Sequence, residues 1–125
     1  MGGESQVGRG GVTRARQVVV DQQSWGRLEW MVSGAIGNSD TLTVGKCFID
    51  PGQQNPPHSH PNCDEVLHVL RGTIEHRVGD ARLLMSAGDT ISIPTGAVHN
   101  ARNLGDATAE FVIIFSTPAR EVVGE

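Results

Sequence analysis

Short apolar runs of strand length recur along the chain, each closed by glycine, proline, asparagine or aspartate. Gln17-Val18-Val19-Val20 is the first β-branched run and predicts an edge strand or one exchanged with a partner chain. In Arg27–Val32, the residues Leu28, Trp30 and Val32 share a face, as a half-buried strand requires. Gly34 to Asp40 is turn chemistry. Thr41 to Ile49 predicts a strand interrupted at Gly45, where a bulge or a close backbone approach is expected. Asp50-Pro51-Gly52 ends it. Glu65 to Leu70, Thr73 to Val78, Ala81 to Met85, Thr90 to Ile93, Val98 to Asn103 and Thr108 to Ser116 continue the series. Gly79-Asp80 and Gly105-Asp106 each read as a two-residue hairpin loop. No amphipathic helical period interrupts the strands. About ten short strands imply a sandwich or a barrel. Without a Cys…Trp…Cys spacing, the all-β double-stranded barrel, or jelly roll, is the expected fold. Its interior holds side chains or one small ligand.

Length and charge narrow this picture. A chain of 125 residues is one domain. Residues 1–11 are glycine-rich, lack the apolar core of a signal peptide and read as a disordered lead-in. Residues 12–117 form the barrel, and the polar stretch 118–125 reads as a flexible tail. The net charge is −4 and the basic residues are scattered, which argues against nucleic acid as a partner. No apolar run is long enough for a transmembrane helix. Two cysteines, Cys47 and Cys63, make no disulfide framework and suit a cytoplasmic protein with free thiols. Cys63 lies in the loop that carries the candidate chemistry, so a reactive thiol or an extra ligand is the competing reading.

That chemistry is concentrated between Gly52 and Gly72. His58 and His60 are two apart, so on a strand both imidazoles leave one face. Glu65 follows across a short loop. Neutral imidazole with carboxylate suits first-row divalent ions. A fourth candidate, His99, follows the Pro94 and Gly96 turn and opens a return strand that can face the first pair in a closing barrel. On the residues alone, a shared metal and a hydrogen-bonded polar rim both remain open.

The spacing Gly52-X5-His58-X-His60-X4-Glu65-X6-Gly72 resembles the first motif of the cupin superfamily. Gly88-X5-Pro94-X-Gly96-X2-His99-X3-Asn103 is similar to the second, with Thr73 to Ala87 between them. The resemblance implies a small single-domain cupin-like barrel with His58, His60, Glu65 and His99 as ligands of one divalent transition metal: Mn, Fe, Ni, Co or Zn. Two adjacent positions on an octahedral ion would stay free for substrate, water or dioxygen. It does not name a reaction, because this barrel hosts isomerases, lyases, decarboxylases, dioxygenases and non-catalytic binders. The expected function is therefore a metal-dependent enzyme on a small polar or carbonyl metabolite. A ligand-binding or sensor module is the alternative.

Other residues carry weaker expectations. His68 has the opposite strand parity to Glu65 and should face away from the metal. His76 and Glu65 are candidates for a general base. Arg71 and Arg102, with Arg27, can clamp a substrate carboxylate. Asp64 and Asn103 are candidates to orient the imidazoles. Trp25 and Trp30 read as core or interface. A homodimer is expected through the Val18-Val19-Val20 edge.

Overall fold

A computed structural model of the protein describes residue 8 and residues 10–124. The expected lead-in at 1–11 lies largely outside the described residues. After a 3-10 turn, Ala15–Gln17, eleven strands follow. They are β1 (Val19–Gln23), β2 (Gly26–Val32), β3 (Thr43–Ile49), β4 (His58–Ser59), β5 (Glu65–Arg71), β6 (Thr73–Val78), β7 (Ala81–Ser86), β8 (Thr90–Ile93), β9 (His99–Asn103), β10 (Ala109–Phe115) and β11 (Val123–Gly124). There is no α-helix among the described residues.

The strands form two antiparallel sheets, ordered β1-β2-β3-β10-β5-β8 and β11-β4-β9-β6-β7. Each side of the barrel exposes one face and buries the other, so buried positions alternate. In β5, Glu65, Leu67 and Val69 are buried while Val66 and His68 are only partly so. Ile49, Ile74, Phe111, Ile113 and Phe115 complete the apolar interior between the sheets. Among the described residues the buried polar groups away from the site are Ser33, Thr43, Asn100, Asn103 and Glu110, each with a hydrogen-bond partner.

Two glycines make the closure possible. At Gly72, φ is +94°, and the chain passes from β5 in one sheet to β6 in the other; a Cβ there would lie 3.1 Å from Ala109. At Gly45, the Trp30 ring lies on the backbone, and a Cβ would come within 2.5 Å of Trp30 Cε3. The expected irregularity is present: the β2–β3 register shifts between Trp30 and Val32, opposite Gly45.

Two expectations need correction. Gly79-Asp80 does join a hairpin, with Val78 opposite Ala81. Gly105-Asp106 does not, because β9 and β10 belong to different sheets and this loop crosses between them. The alternation on either side of a Gly-Asp pair is the same in both cases, so the sequence cannot tell a hairpin from a crossing. The stretch at 118–125 is no loose tail over its described part: Gly34 N donates to Pro118 O, Glu121 N donates to Asn62 Oδ1, and β11 pairs with β4. Backbone pairing, not side-chain hydrophobicity, holds it, which is why its polar composition misleads. The first strand, from Val19, is an edge strand, one of the two readings its sequence allowed, and pairs with β2.

Candidate metal centre

The site lies where the two sheets meet at one end of the barrel. Glu65 opens β5, between Ile93 of β8 and Phe115 of β10. His58 and His99 face each other as partners in the β4–β9 pair. His60 follows β4 directly. One ligand atom from each of His58, His60, Glu65 and His99 lies within 4.8 Å of the others. His60, Glu65 and His99 are buried and His58 is partly so.

Hydrogen bonds fix how the imidazoles point. His58 Nδ1 donates to Pro56 O at 2.8 Å, His60 Nδ1 to Glu121 O at 2.8 Å, and His99 Nδ1 to Ala97 O at 3.0 Å. A carbonyl can only accept, so each Nδ1 carries a proton, and in the neutral ring each Nε2 is a lone pair. His99 Nε2 is 2.9 Å and His60 Nε2 3.3 Å from Glu65 Oε1. In the neutral rings these lone pairs face a carboxylate at close range, and either a proton on Nε2 or a cation between the groups relieves the repulsion. Buried His60 Nε2 has no hydrogen-bond partner. Ligand atoms in adjacent positions on an ion with bonds of ~2.1 Å lie ~3.0 Å apart. The donor set therefore fits one divalent transition metal, and the mixed nitrogen and oxygen chemistry suits that class.

Protonation agrees. Burial pushes the His58 imidazole down to about 4, against the pull of the Pro56 carbonyl. Burial would raise the Glu65 carboxyl, but the imidazoles of His60 and His99 outweigh it and hold the group at about 2. Burial also lowers His99, and there the Glu65 carboxylate prevails and carries it above its usual value. An anionic carboxylate is the state a cation requires, and the raised His99 reflects an Nε2 proton shared with Glu65 that a bound metal would displace.

A cavity of about 290 Å³ opens over this cluster. Most of its wall is apolar, including Trp25, Leu28, Phe111 and Ile113, and its polar groups include His76 and Arg120. His76, the weak candidate from the sequence, is fully buried, stacks on His99 with centroids 5.8 Å apart, and has no hydrogen-bond partner on either ring nitrogen. Burial drives it down to about 4, so it is neutral.

Other expectations fail. Arg71 pairs with Glu110 and its side chain is 68% exposed; Arg102 is exposed on β9; Arg27 lies over the Phe48 ring and pairs with Glu29. None of the three lines the cavity. A strand arginine with the wrong parity cannot reach the interior. Asp64 accepts from the Thr95 backbone and hydroxyl, and Asn103 donates to Ile49 O and Ala107 O, so both brace loops while backbone carbonyls orient the imidazoles. Cys63 is a buried free thiol that burial raises, and it stands outside the ligand cluster. His68, by contrast, does face away from the ligand cluster as its strand parity predicts, with Nδ1 2.7 Å from Thr90 Oγ1. Sequence reasoning missed Arg120 and the Glu121 carbonyl altogether. A lone arginine in a polar stretch carries no pattern; only the docking of that stretch brings it to the cavity.

Fold and site together define a small metal-binding β-barrel. The sequence profile described as "Cupin domain" matches residues 45–115, more than half of the chain, and the protein belongs to the cupin family. Among curated proteins, the chain is 39% identical over 100 residues to germin-like protein subfamily 2 member 1 of Arabidopsis thaliana, covering 70% of this chain and 45% of that protein. It is 31% identical over 105 residues to oxalate oxidase GF-3.8 of Triticum aestivum, covering 76% and 44%. It spans less than half the length of these relatives. Among solved structures, the oxalate decarboxylase–formate complex of Lactobacillus farciminis superposes with a TM-score of 0.80 at 22% identity, over 87% of this chain and 34% of that one. That likeness concerns the fold.

Proposed function

We propose that this barrel is a metal-dependent enzyme acting on a small carbonyl-containing metabolite. The observation that carries the reading is the convergence of three oriented imidazoles and one anionic carboxylate at the floor of a cavity of about 290 Å³. Such a cavity lies at the lower end of the usual ~300–1,000 Å³ for small-molecule sites. When bound, the metal would polarise a carbonyl or carboxylate oxygen as a Lewis acid, or activate oxygen.

This chain's own residues do the rest. His58, His60 and His99 hold their Nε2 lone pairs inward through hydrogen bonds to backbone carbonyls. The apolar wall excludes bulk water from the reacting group. Neutral His76 is, among the described residues, the one buried group with an unused proton donor and an unused acceptor beside the ligands, and we assign it the proton transfer. Oxalate oxidase and oxalate decarboxylase among the relatives favour oxidation or decarboxylation of a small acid over isomerisation, and manganese, named for the Bacillus subtilis oxalate decarboxylase, is the first metal to test.

The test is to load purified protein with Mn(II) and follow CO2 release and O2 uptake with oxalate and a set of 2-oxo acids. Turnover that disappears in His60→Ala supports the reading. Full metal occupancy with no turnover on any of them would leave a binding module instead. We further propose that the chain pairs as a homodimer through β1, whose Val19 and Val20 are 52% and 54% exposed on a sheet edge. Light scattering on a chain lacking the residues before Asp21 should then report a monomer.

A further inference from the structure

Arg120 is the most anomalous charged residue in the molecule. Its guanidinium carbon lies 4.5 Å from the Trp30 ring centroid and 5.2 Å from that of Phe115. It lines the cavity yet makes no ion pair or hydrogen bond with any described residue. Three other arginines of the barrel are paired with carboxylates, Arg27 with Glu29, Arg71 with Glu110 and Arg82 with Glu75, and the unpaired Arg102 is exposed outside the cavity. Packing against two aromatic faces holds the planar group in place and leaves its N–H edge for another partner. The Phe115 ring is also in edge contact with His60, with centroids 4.9 Å apart. One aromatic ring thus separates the guanidinium from a metal ligand. Glu65 and Asp21 are the carboxylates whose charge reaches Arg120, and neither pairs with it directly.

The surroundings set the rest of the ligand. Trp25, Leu28, Leu67, Phe111 and Ile113 give an apolar wall to the cavity that Arg120 and the ligand cluster both line. A dianion as small as oxalate would leave that wall against water, whereas an acid with a short branched apolar chain would fill it.

The geometry points to Arg120 as the carboxylate-anchoring residue of the cavity, selecting a monocarboxylate with an apolar body and a carbonyl directed at the metal centre. This assignment rests on the proposed enzymatic reading for the role of the carbonyl, but the anchoring can be tested by binding alone. Arg120 is a specificity residue. Its guanidinium would receive the carboxylate in a bidentate pair, and no bond is made or broken there.

The probe is 3-methyl-2-oxobutanoate, compared with its methyl ester and with oxalate, titrated into the Mn(II)-loaded chain. Trp30, stacked under Arg120, and Trp25, in the cavity wall, provide the fluorescence signal; calorimetry gives the affinity. We expect the acid to bind at least about tenfold more tightly than the ester. Arg120→Gln should lose about tenfold in affinity for the acid and bind acid and ester alike, with its metal content unchanged. Arg120→Lys should keep part of the preference, since it retains charge without the planar fork.

A residue that served only to pin the polar segment on Trp30 would alter thermal stability in Arg120→Gln and leave the acid-to-ester ratio untouched. That result would overturn the assignment. So would equal binding of acid and ester by the unmodified chain, or no binding of either. Oxalate binding more tightly than the branched acid would overturn the apolar-body part. If the chain takes up none of Mn, Fe, Co, Ni or Zn, the metal reading fails by elemental analysis. The Arg120-dependent preference is then decided on the metal-free chain.

Discussion

At the scale of single residues, the site works because each imidazole has one nitrogen occupied and one left over. His60 is the clearest case, with Nδ1 held by the Glu121 carbonyl and Nε2 buried without a partner. His60→Ala should therefore remove most bound metal at stoichiometric loading while the barrel stays folded, as elemental analysis beside circular dichroism would show. His76 makes the opposite case. Two unpartnered nitrogens in a fully buried ring cost stability, on the order of 1–3 kcal/mol for each group left unsatisfied. His76→Leu, close in volume, should raise the thermal midpoint or leave it unchanged while lowering turnover. A large fall in the midpoint would mean that the ring is needed for packing and has no spare polar capacity. Strand parity made the His58 and His60 pair legible, while Glu65 and His99 joined it as ligands through the resemblance to the cupin motifs. Arg120 was not legible, because nothing local to Pro118-Ala119-Arg120 requires it to meet Trp30.

At the scale of elements, strand pairing turned out to be readable where a side chain left a mark on the backbone. Gly45 is such a mark: the Trp30 ring needs the space a Cβ would take. Gly45→Ala would also crowd Glu29 O at 2.8 Å, and it should destabilise by about 1–3 kcal/mol in denaturant melts. Charge ties the same sheet together. Glu110, at the register shift of β10, accepts from Lys46 on β3 and from Arg71 on β5, joining three neighbouring strands. Burial works to raise its carboxyl, and the two cations win and depress it. A depressed carboxylate stabilises the fold above its unfolded value and loses that contribution as pH falls through the acid range. Glu110→Gln should thus cost about 1 kcal/mol at neutral pH, given how exposed its partners are. The gap between variant and parent should close as pH drops below ~4.3. A gap independent of pH would show that shape, not charge, matters at this position.

At the scale of the whole molecule, the barrel is closed by the segment that composition marks as least structural. Residues 118–124 reach across both sheets: Pro118 O accepts from Gly34 N, Ala119 O from Asn62, Glu121 O from His60, and β11 lies on β4 beside His58. Two of the four ligands therefore lean on it. The remaining two, Glu65 and His99, sit on strands paired entirely within the two sheets. A chain ending at Thr117 should keep the barrel, since the main β3-β10-β5 and β9-β6-β7 pairings stay intact. It should nonetheless lose metal affinity, because His60 would lose the acceptor that fixes its tautomer. Removing such a supporting partner typically costs about 10–100-fold in metal binding. Competition with a chelator of known strength would measure that loss, and circular dichroism would report whether the sheets persist. Unchanged affinity in a folded, shortened chain would show that solvent can replace the Glu121 carbonyl, and that closure of the barrel over the site serves the cavity more than the metal.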